Sequence, residues 1–209
     1  YYVPTGSLTV KPLSSFPSSE RQSTVRSIIE DKEGHLWFGT RGGLICYDRP
    51  SGKYNVFKAD IGNNIALIQN SVLSLYIDTK GDLWAGTRGG ISYLNHEKQI
   101  FHLVQEAKND SHYLNDEEVY GFAEDNQGRI WIGTESGGIN IRQPHTDNFK
   151  YITRSNGLST DCIKCFLNNG NEMWVGTYMG GINIVDSHSL CVKKILRSKA
   201  TDSHSLISD

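Results

Sequence analysis

Four stretches decide the fold: LWFGTRGGL at Leu36–Leu44, LWAGTRGGI at Leu83–Ile91, IWIGTESGGI at Ile130–Ile139 and MWVGTYMGGI at Met173–Ile182. Each holds one of the four tryptophans, Trp37, Trp84, Trp131 and Trp174, which are 47, 47 and 43 residues apart. Upstream of each stands a second matching piece: VRSIIEDKEG from Val25, VLSLYIDTKG from Val72, VYGFAEDNQG from Val119 and IKCFLNNGN from Ile163. A fixed period near 47 residues, with short apolar runs and glycine-marked turns, indicates an array of repeats instead of a single-core domain.

Within one repeat the local signals are those of strands. Val25–Glu30 is apolar and β-prone and ends in a polar turn closing on Gly34. Leu36–Thr40 is a second strand, and the Gly42-Gly43 pair offers the positive φ of a tight hairpin. Leu44–Tyr47 and Tyr54–Lys58 follow, separated by a Pro50-Ser51-Gly52 turn. Ile65–Ile68 has the composition of a helical turn, but no segment sustains a 3.6-residue period. Four antiparallel strands and a longer connection are the pattern of a propeller blade, so the expected class is an all-β β-propeller. The expected units are a partial blade at 1–24 and blades at 25–71, 72–118, 119–162 and 163–209. Four blades can close a ring, but strands left over at 1–24 would then have no natural place. The expectation is therefore a piece of a larger ring of about seven blades, in a chain that starts on Tyr1 as a segment cut from a longer one.

Composition narrows the function. The 209 residues are 37% hydrophobic and 21% charged, which suits a folded core. Lys and Arg total 21 against 23 Asp and Glu, without the basic surplus of a duplex-binding domain, so nucleic acid is not an expected partner. No apolar run is long enough to span a bilayer, and Tyr1 opens no secretory h-region.

The repeat string, from Val25-Arg26-Ser27-Ile28 through Glu30-Asp31, Gly34, Leu36-Trp37 and Gly39-Thr40 to Gly42-Gly43-Leu44, resembles the two-component regulator propeller repeat. The fourth copy departs from it, with Asn168-Asn169-Gly170-Asn171 in place of the acidic turn and Cys165 in the small-residue slot. The resemblance implies a periplasmic sensor segment of a Bacteroidetes hybrid two-component regulator. Such a segment would be non-catalytic, would bind an oligosaccharide and would signal to a C-terminal histidine kinase outside this chain. It also implies a homodimeric parent and no cofactor.

The repeats separate scaffold from site. A residue at the same offset in every blade serves packing or a turn, whereas a residue that changes at a fixed offset is free for other work. By that test the four tryptophans are core, each with a glycine two residues on that leaves room for a neighbouring blade. Glu30-Asp31, Asp78 and Glu124-Asp125 are turn-capping carboxylates, at a D-x-x-G-x-x-W spacing similar to the Asp box of sialidase propellers. They are too few for an EF-hand loop, and Gly39–Gly43 lacks the ending of a phosphate loop.

The variable offsets are the candidate ligand site. The turn between second and third strands carries Arg41, Arg88, Glu135-Ser136 and Tyr178-Met179. Paired arginines suit a carboxylate or sulfate, and Tyr178 offers a stacking face for a sugar ring. One residue into the first strand the offset reads Arg26, Leu73, Tyr120 and Lys164, as for a tuned channel wall. The connections Ala59–Ser71, Lys108–Glu118, Ser155–Asp161 and Ser198–Asp209 open on the same face, and the second contributes His112, Tyr113 and Asn115. The ligand-binding candidates are thus Arg41, Arg88, Glu135, Tyr178, His112, Tyr113 and Tyr120; each is also explicable singly as an ordinary loop residue. Cys162 and Cys165 are three apart on a predicted strand, about 10 Å and on opposite faces, too far for a disulfide. The seven histidines show neither HExxH nor a paired spacing, so no metal is expected. Two alternatives remain open: a protein-interaction ring without a small ligand, and a lyase-like or sialidase-like enzyme, for which only His112 or the Arg41, Arg88, Tyr178 and Glu135 set is available.

Overall fold

The computed structural model describes residues 24–60, 63, 66–97, 101–105, 110–144, 146–203 and 205–209. The expected partial blade at 1–24 lies, except for Thr24, outside them. Among the described residues, four sheets of four antiparallel strands follow one another, as the propeller reading requires. The first is β1 (Val25–Glu30), β2 (His35–Thr40), β3 (Gly43–Asp48) and β4 (Tyr54–Phe57). The second is β5 (Val72–Ile77), β6 (Leu83–Thr87), β7 (Gly90–Leu94) and β8 (Phe101–Val104). The third is β9 (Val119–Glu124), β10 (Ile130–Thr134), β11 (Ile139–Arg142) and β12 (Phe149–Ile152). The fourth is β13 (Ile163–Asn169), β14 (Glu172–Thr177), β15 (Ile182–Asp186) and β16 (Val192–Leu196). Strands within each sheet are ordered as in the sequence, so every within-blade connection is a hairpin. The second glycine of each β2–β3-type turn has positive φ, from 73° at Gly138 and Gly181 to 139° at Gly43.

The first strands of consecutive blades pack together, β1 on β5, β5 on β9 and β9 on β13, which places them around a common axis. Each blade-to-blade seam is one apolar core. Trp37, Leu44 and Ile29 meet Val72, Leu75, Leu83 and Phe101 in the first seam. Trp84 and Ile91 meet Val119, Ile132 and Phe149 in the second. Trp131, Ile139 and Ile141 meet Ile163, Phe166, Met173 and Val185 in the third. Trp84 and Trp131 are 2% and 0% exposed, so the tryptophans are packing residues there, whereas Trp174, with no following blade on it among the described residues, is half-buried.

The glycine two residues after each tryptophan admits the next blade. A Cβ on Gly86 would lie 2.7 Å from the Val119 Cγ1 and 2.8 Å from the Val119 carbonyl oxygen, and one on Gly133 would lie 2.6 Å from the Ile163 Cγ2. On the face of blade one turned away from blade two, Phe38, Ile45 and Tyr47 are buried whereas Ile28 is 59% exposed, and on blade four Leu167 is 62% exposed.

Candidate functional site

The two ends of the blades are built differently. At the first hairpin the acidic turn is a constant device. Asp31 Oδ1 accepts the amides of Glu33 (3.1 Å) and His35 (2.8 Å), and Oδ2 accepts Trp37 Nε1 (2.8 Å). Asp78 does the same for Lys80 (3.0 Å), Asp82 (2.9 Å) and Trp84 Nε1 (3.0 Å), and Asp125 for Gln127 (2.9 Å), Arg129 (3.1 Å) and Trp131 Nε1 (2.7 Å). One carboxylate closes the turn and anchors the indole. In the fourth blade, which lacks the aspartate, Trp174 Nε1 turns to Glu172 Oε2 at 3.3 Å.

At the opposite end lie the β2–β3-type turns and the long connections between blades. The amides of Arg41, Arg88, Glu135 and Tyr178 each donate to the residue just before the first strand of their own blade: Thr24, Ser71, Glu118 and Cys162. That shared bond fixes the turn beside the start of the axial strand. On the third strands of blades two, three and four a polar residue ties down the connection: Ser92 Oγ accepts the Ile68 amide (2.9 Å), Asn140 exchanges bonds with Asn115 (3.0 and 2.8 Å), and Asn183 does so with Ser159 (2.9 and 2.7 Å). Asn115 is therefore a loop tether.

On this frame the varying side chains of blades three and four converge. The Lys164 Nζ stands 3.6 Å from the centre of the Tyr120 ring and 5.9 Å from that of Tyr178, and it pairs with Glu135 Oε2. Tyr120 donates its hydroxyl to Glu118 Oε2 at 3.3 Å. Burial opposes the Lys164 charge, but its bonds to Glu135 and Cys162 outweigh this and raise its pKa, so the ammonium is held charged. Burial, and then the Glu135 charge, raises the Tyr120 phenol. Tyr178 is 60% exposed and Met179 71%, together an apolar platform at the rim. Met179 has φ 56°, a left-handed backbone rarely taken by a non-glycine residue and a mark of local strain. The arrangement offers a fixed cation, an acceptor carboxylate and two aromatic faces, which is chemistry for holding a polar ring.

Three sequence candidates, Tyr120, Glu135 and Tyr178, are thus brought together; Lys164, which joins them, was visible only as a member of a variable offset. Arg41 and Arg88 sit on the equivalent turns of blades one and two, and among the described residues no hydrogen bond, ion pair or ring contact links either side chain to the Lys164 group. His112 and Tyr113 go elsewhere. Segment 110–113 runs along β12, with the Ser111 carbonyl accepting the Phe149 amide (2.7 Å) and Tyr151 Oη bonding the Tyr113 carbonyl (2.7 Å). Both side chains line a hollow of about 570 Å³ with Trp84, Tyr93, His102 and Arg142, at the seam of blades two and three. The bonds to Phe149 and Tyr151 hold 110–113 along β12, the outer strand of blade three, before the chain turns in to Asn140 at Asn115. His112 is paired there with Asp110 Oδ1 at 2.7 Å. All four cysteines are unpaired, and burial raises Cys46 to about 11.

The architecture and the repeat define a β-propeller of four-stranded blades. Residues 19–42, 66–89 and 113–136 match the two-component regulator propeller model, and the chain carries two-component regulator propeller repeats there. Among solved structures, the chain is similar to the extracellular domain assigned to a hybrid two component system of B. thetaiotaomicron, with 24% identity and a TM-score of 0.72, covering 82% of this chain and 24% of that one. It is also similar to virginiamycin B lyase from Staphylococcus aureus (16% identity, TM-score 0.65, 89% and 59% covered). A third likeness is PorZ, a surface component of the type-IX secretion system of Porphyromonas gingivalis (16%, 0.59, 83% and 27%). The chain spans about a quarter of the first of these, and at such identities the likeness is one of fold. No curated protein sequence matches. Among the described residues no helix is long and apolar enough to cross a membrane.

Proposed function

We propose that this chain is a segment of the extracytoplasmic, non-catalytic sensor propeller of a two-component regulator. It recognises an oligosaccharide at the Lys164 face and signals to a histidine kinase outside the chain. The repeat family and the likeness to an extracellular hybrid two component system domain support the sensor reading. The observation that carries the ligand reading is the meeting of Tyr120, Glu135, Lys164 and Tyr178, the very offsets that vary from blade to blade, beside offsets that do not. Aromatic faces suit the apolar side of a pyranose, and the ammonium and carboxylate suit its hydroxyls. The exposed guanidiniums of Arg41 and Arg88 extend the face for an acidic ring. His112, the residue a lyase reading would need, lies in the seam hollow and not with this group, which favours binding over turnover.

The test is a thermal-shift screen of the full chain against neutral, uronic and sulfated oligosaccharides, with product analysis afterwards. Binding at a hundredfold excess over Kd adds about 2.7 kcal/mol of stability, and the sugar is recovered intact. Lys164→Met and Tyr178→Ala abolish the shift if the face is the site. A shift that survives both places the ligand elsewhere; no shift with any sugar makes a protein-interaction ring the better account, and cleaved sugar overturns the non-catalytic reading.

A further inference from the structure

The seams between blades differ at the acidic-turn end, and the difference has a chemical meaning. At the seam of blades three and four, Asp125 and Arg129 are both 5% exposed. Arg129 Nε donates to Asp125 Oδ2 at 2.6 Å, and its Nη2 crosses the seam to the backbone carbonyl of Ser187, the residue after β15. A guanidinium is thus a built-in cation joining the first-hairpin turn of one blade to the next blade.

The same places at the seam of blades one and two hold no such cation. Counting from the tryptophan, Arg129 corresponds to His35 and Gln127 to Glu33; counting from the hairpin glycines, Ser187 corresponds to His96. Asp31, the counterpart of Asp125, bonds His35 Nδ1 at 3.0 Å through Oδ2. One ligand atom from each of Asp31, Glu33 and His35 lies within 4.8 Å of the others, and His96 Nε2, from blade two, is 3.9 Å from Glu33 Oε1. All four border one hollow of about 290 Å³, and Glu33, His35 and His96 are 48%, 36% and 45% exposed at the side chain, so an ion has an open path in.

We propose that this seam binds a divalent transition-metal ion, with zinc the best fit, through Glu33, His35 and His96. Two imidazole nitrogens are borderline donors that favour zinc over magnesium or calcium, and a carboxylate oxygen completes a common zinc donor set. Asp31 acts as the outer carboxylate: its oxygens already hold the turn amides, Trp37 and His35 Nδ1, which leaves the other ring nitrogen for the ion. Tetrahedral zinc sets ligand atoms about 3.4 Å apart, so half-exposed Glu33 and His96, 3.9 Å apart, need to close by about half an ångström. The ion takes the place that Arg129 fills two blades on. Sequence spacing hides the site because His35 and His96 come from different blades.

Zinc chloride alone is the probe, with the full chain kept reduced, monitored by calorimetric titration and thermal melting, and magnesium and calcium as controls. One zinc binds per chain and raises the melting temperature; magnesium and calcium do neither. His96→Ala and Glu33→Gln, which remove half-exposed side chains, each weaken zinc binding by about tenfold or more with the far-UV spectrum unchanged. His35→Arg, which installs the guanidinium, removes the zinc response while the protein stays folded. A zinc response that persists undiminished in His96→Ala and Glu33→Gln, or no zinc response in the parent chain, overturns the site.

Discussion

The acidic-turn end of the blades and the opposite end, where the β2–β3-type turns lie, obey different rules. At the first, Asp31, Asp78 and Asp125 repeat one hydrogen-bond pattern with their tryptophans. At the second, Arg41, Arg88, Glu135 and Tyr178 share a backbone bond, while the side chain changes from arginine in blades one and two to glutamate and tyrosine in blades three and four. Where every blade faces the same packing problem, one solution recurs. Where the side chain faces solvent or a ligand, the fold imposes no choice. The site is therefore to be sought where the repetition breaks.

The contrast fails if the constant positions tolerate change. Trp131→Ala empties a fully buried seam and costs about 3–5 kcal/mol, read from urea unfolding; a loss near zero would remove the indoles from the core. Gly86→Ala comes next. Its Cβ would press on the Val119 backbone of the following blade, so overpacking costs about 1–3 kcal/mol in the same measurement.

The acidic turns can be separated from one another by pH. Burial raises the Asp78 carboxyl, and the bonds it accepts do not offset this. Burial also acts upward on Asp31, but the bonds from Trp37 and His35 outweigh it and leave that carboxyl below the usual aspartate range. The signs follow. Asp31 contributes stability present above its unfolded pKa and lost as pH falls through its lower folded value. Asp78 behaves oppositely, favouring the folded state as pH falls into its raised range. Carboxyl carbon shifts in an acid titration order the two, with Asp31 titrating at the lower pH; the reverse order would refute this account of the turns.

Smallest are the effects at the end opposite the acidic turns. Lys164→Met removes a partly exposed ion pair and costs about 0–1 kcal/mol. Arg88→Ala changes stability by no more than about 0.5 kcal/mol. A loss above about 2 kcal/mol from either would make these residues scaffold and close the gap between the two ends.

Sequence alone determined the propeller: a period near 47 residues, strand-length apolar runs and glycine hairpins leave few other ways to pack one tryptophan per repeat. It also marked which offsets are scaffold and which are free, because four copies in one chain serve as controls for one another. It did not decide which free residues meet. Tyr120, Glu135 and Tyr178 join through Lys164, whose own offset gave no reason to choose it over Arg26 or Leu73. His112 and Tyr113 leave the group because their connection runs across the outer strands, a path set by bonds to Phe149 and Tyr151 that no spacing rule contains. His35 and His96 line one hollow although they belong to different blades, which only the stacking of the two sheets decides. Local periodicity specifies strands and their buried faces, whereas proximity between blades depends on how the sheets stack, and that belongs to the tertiary structure.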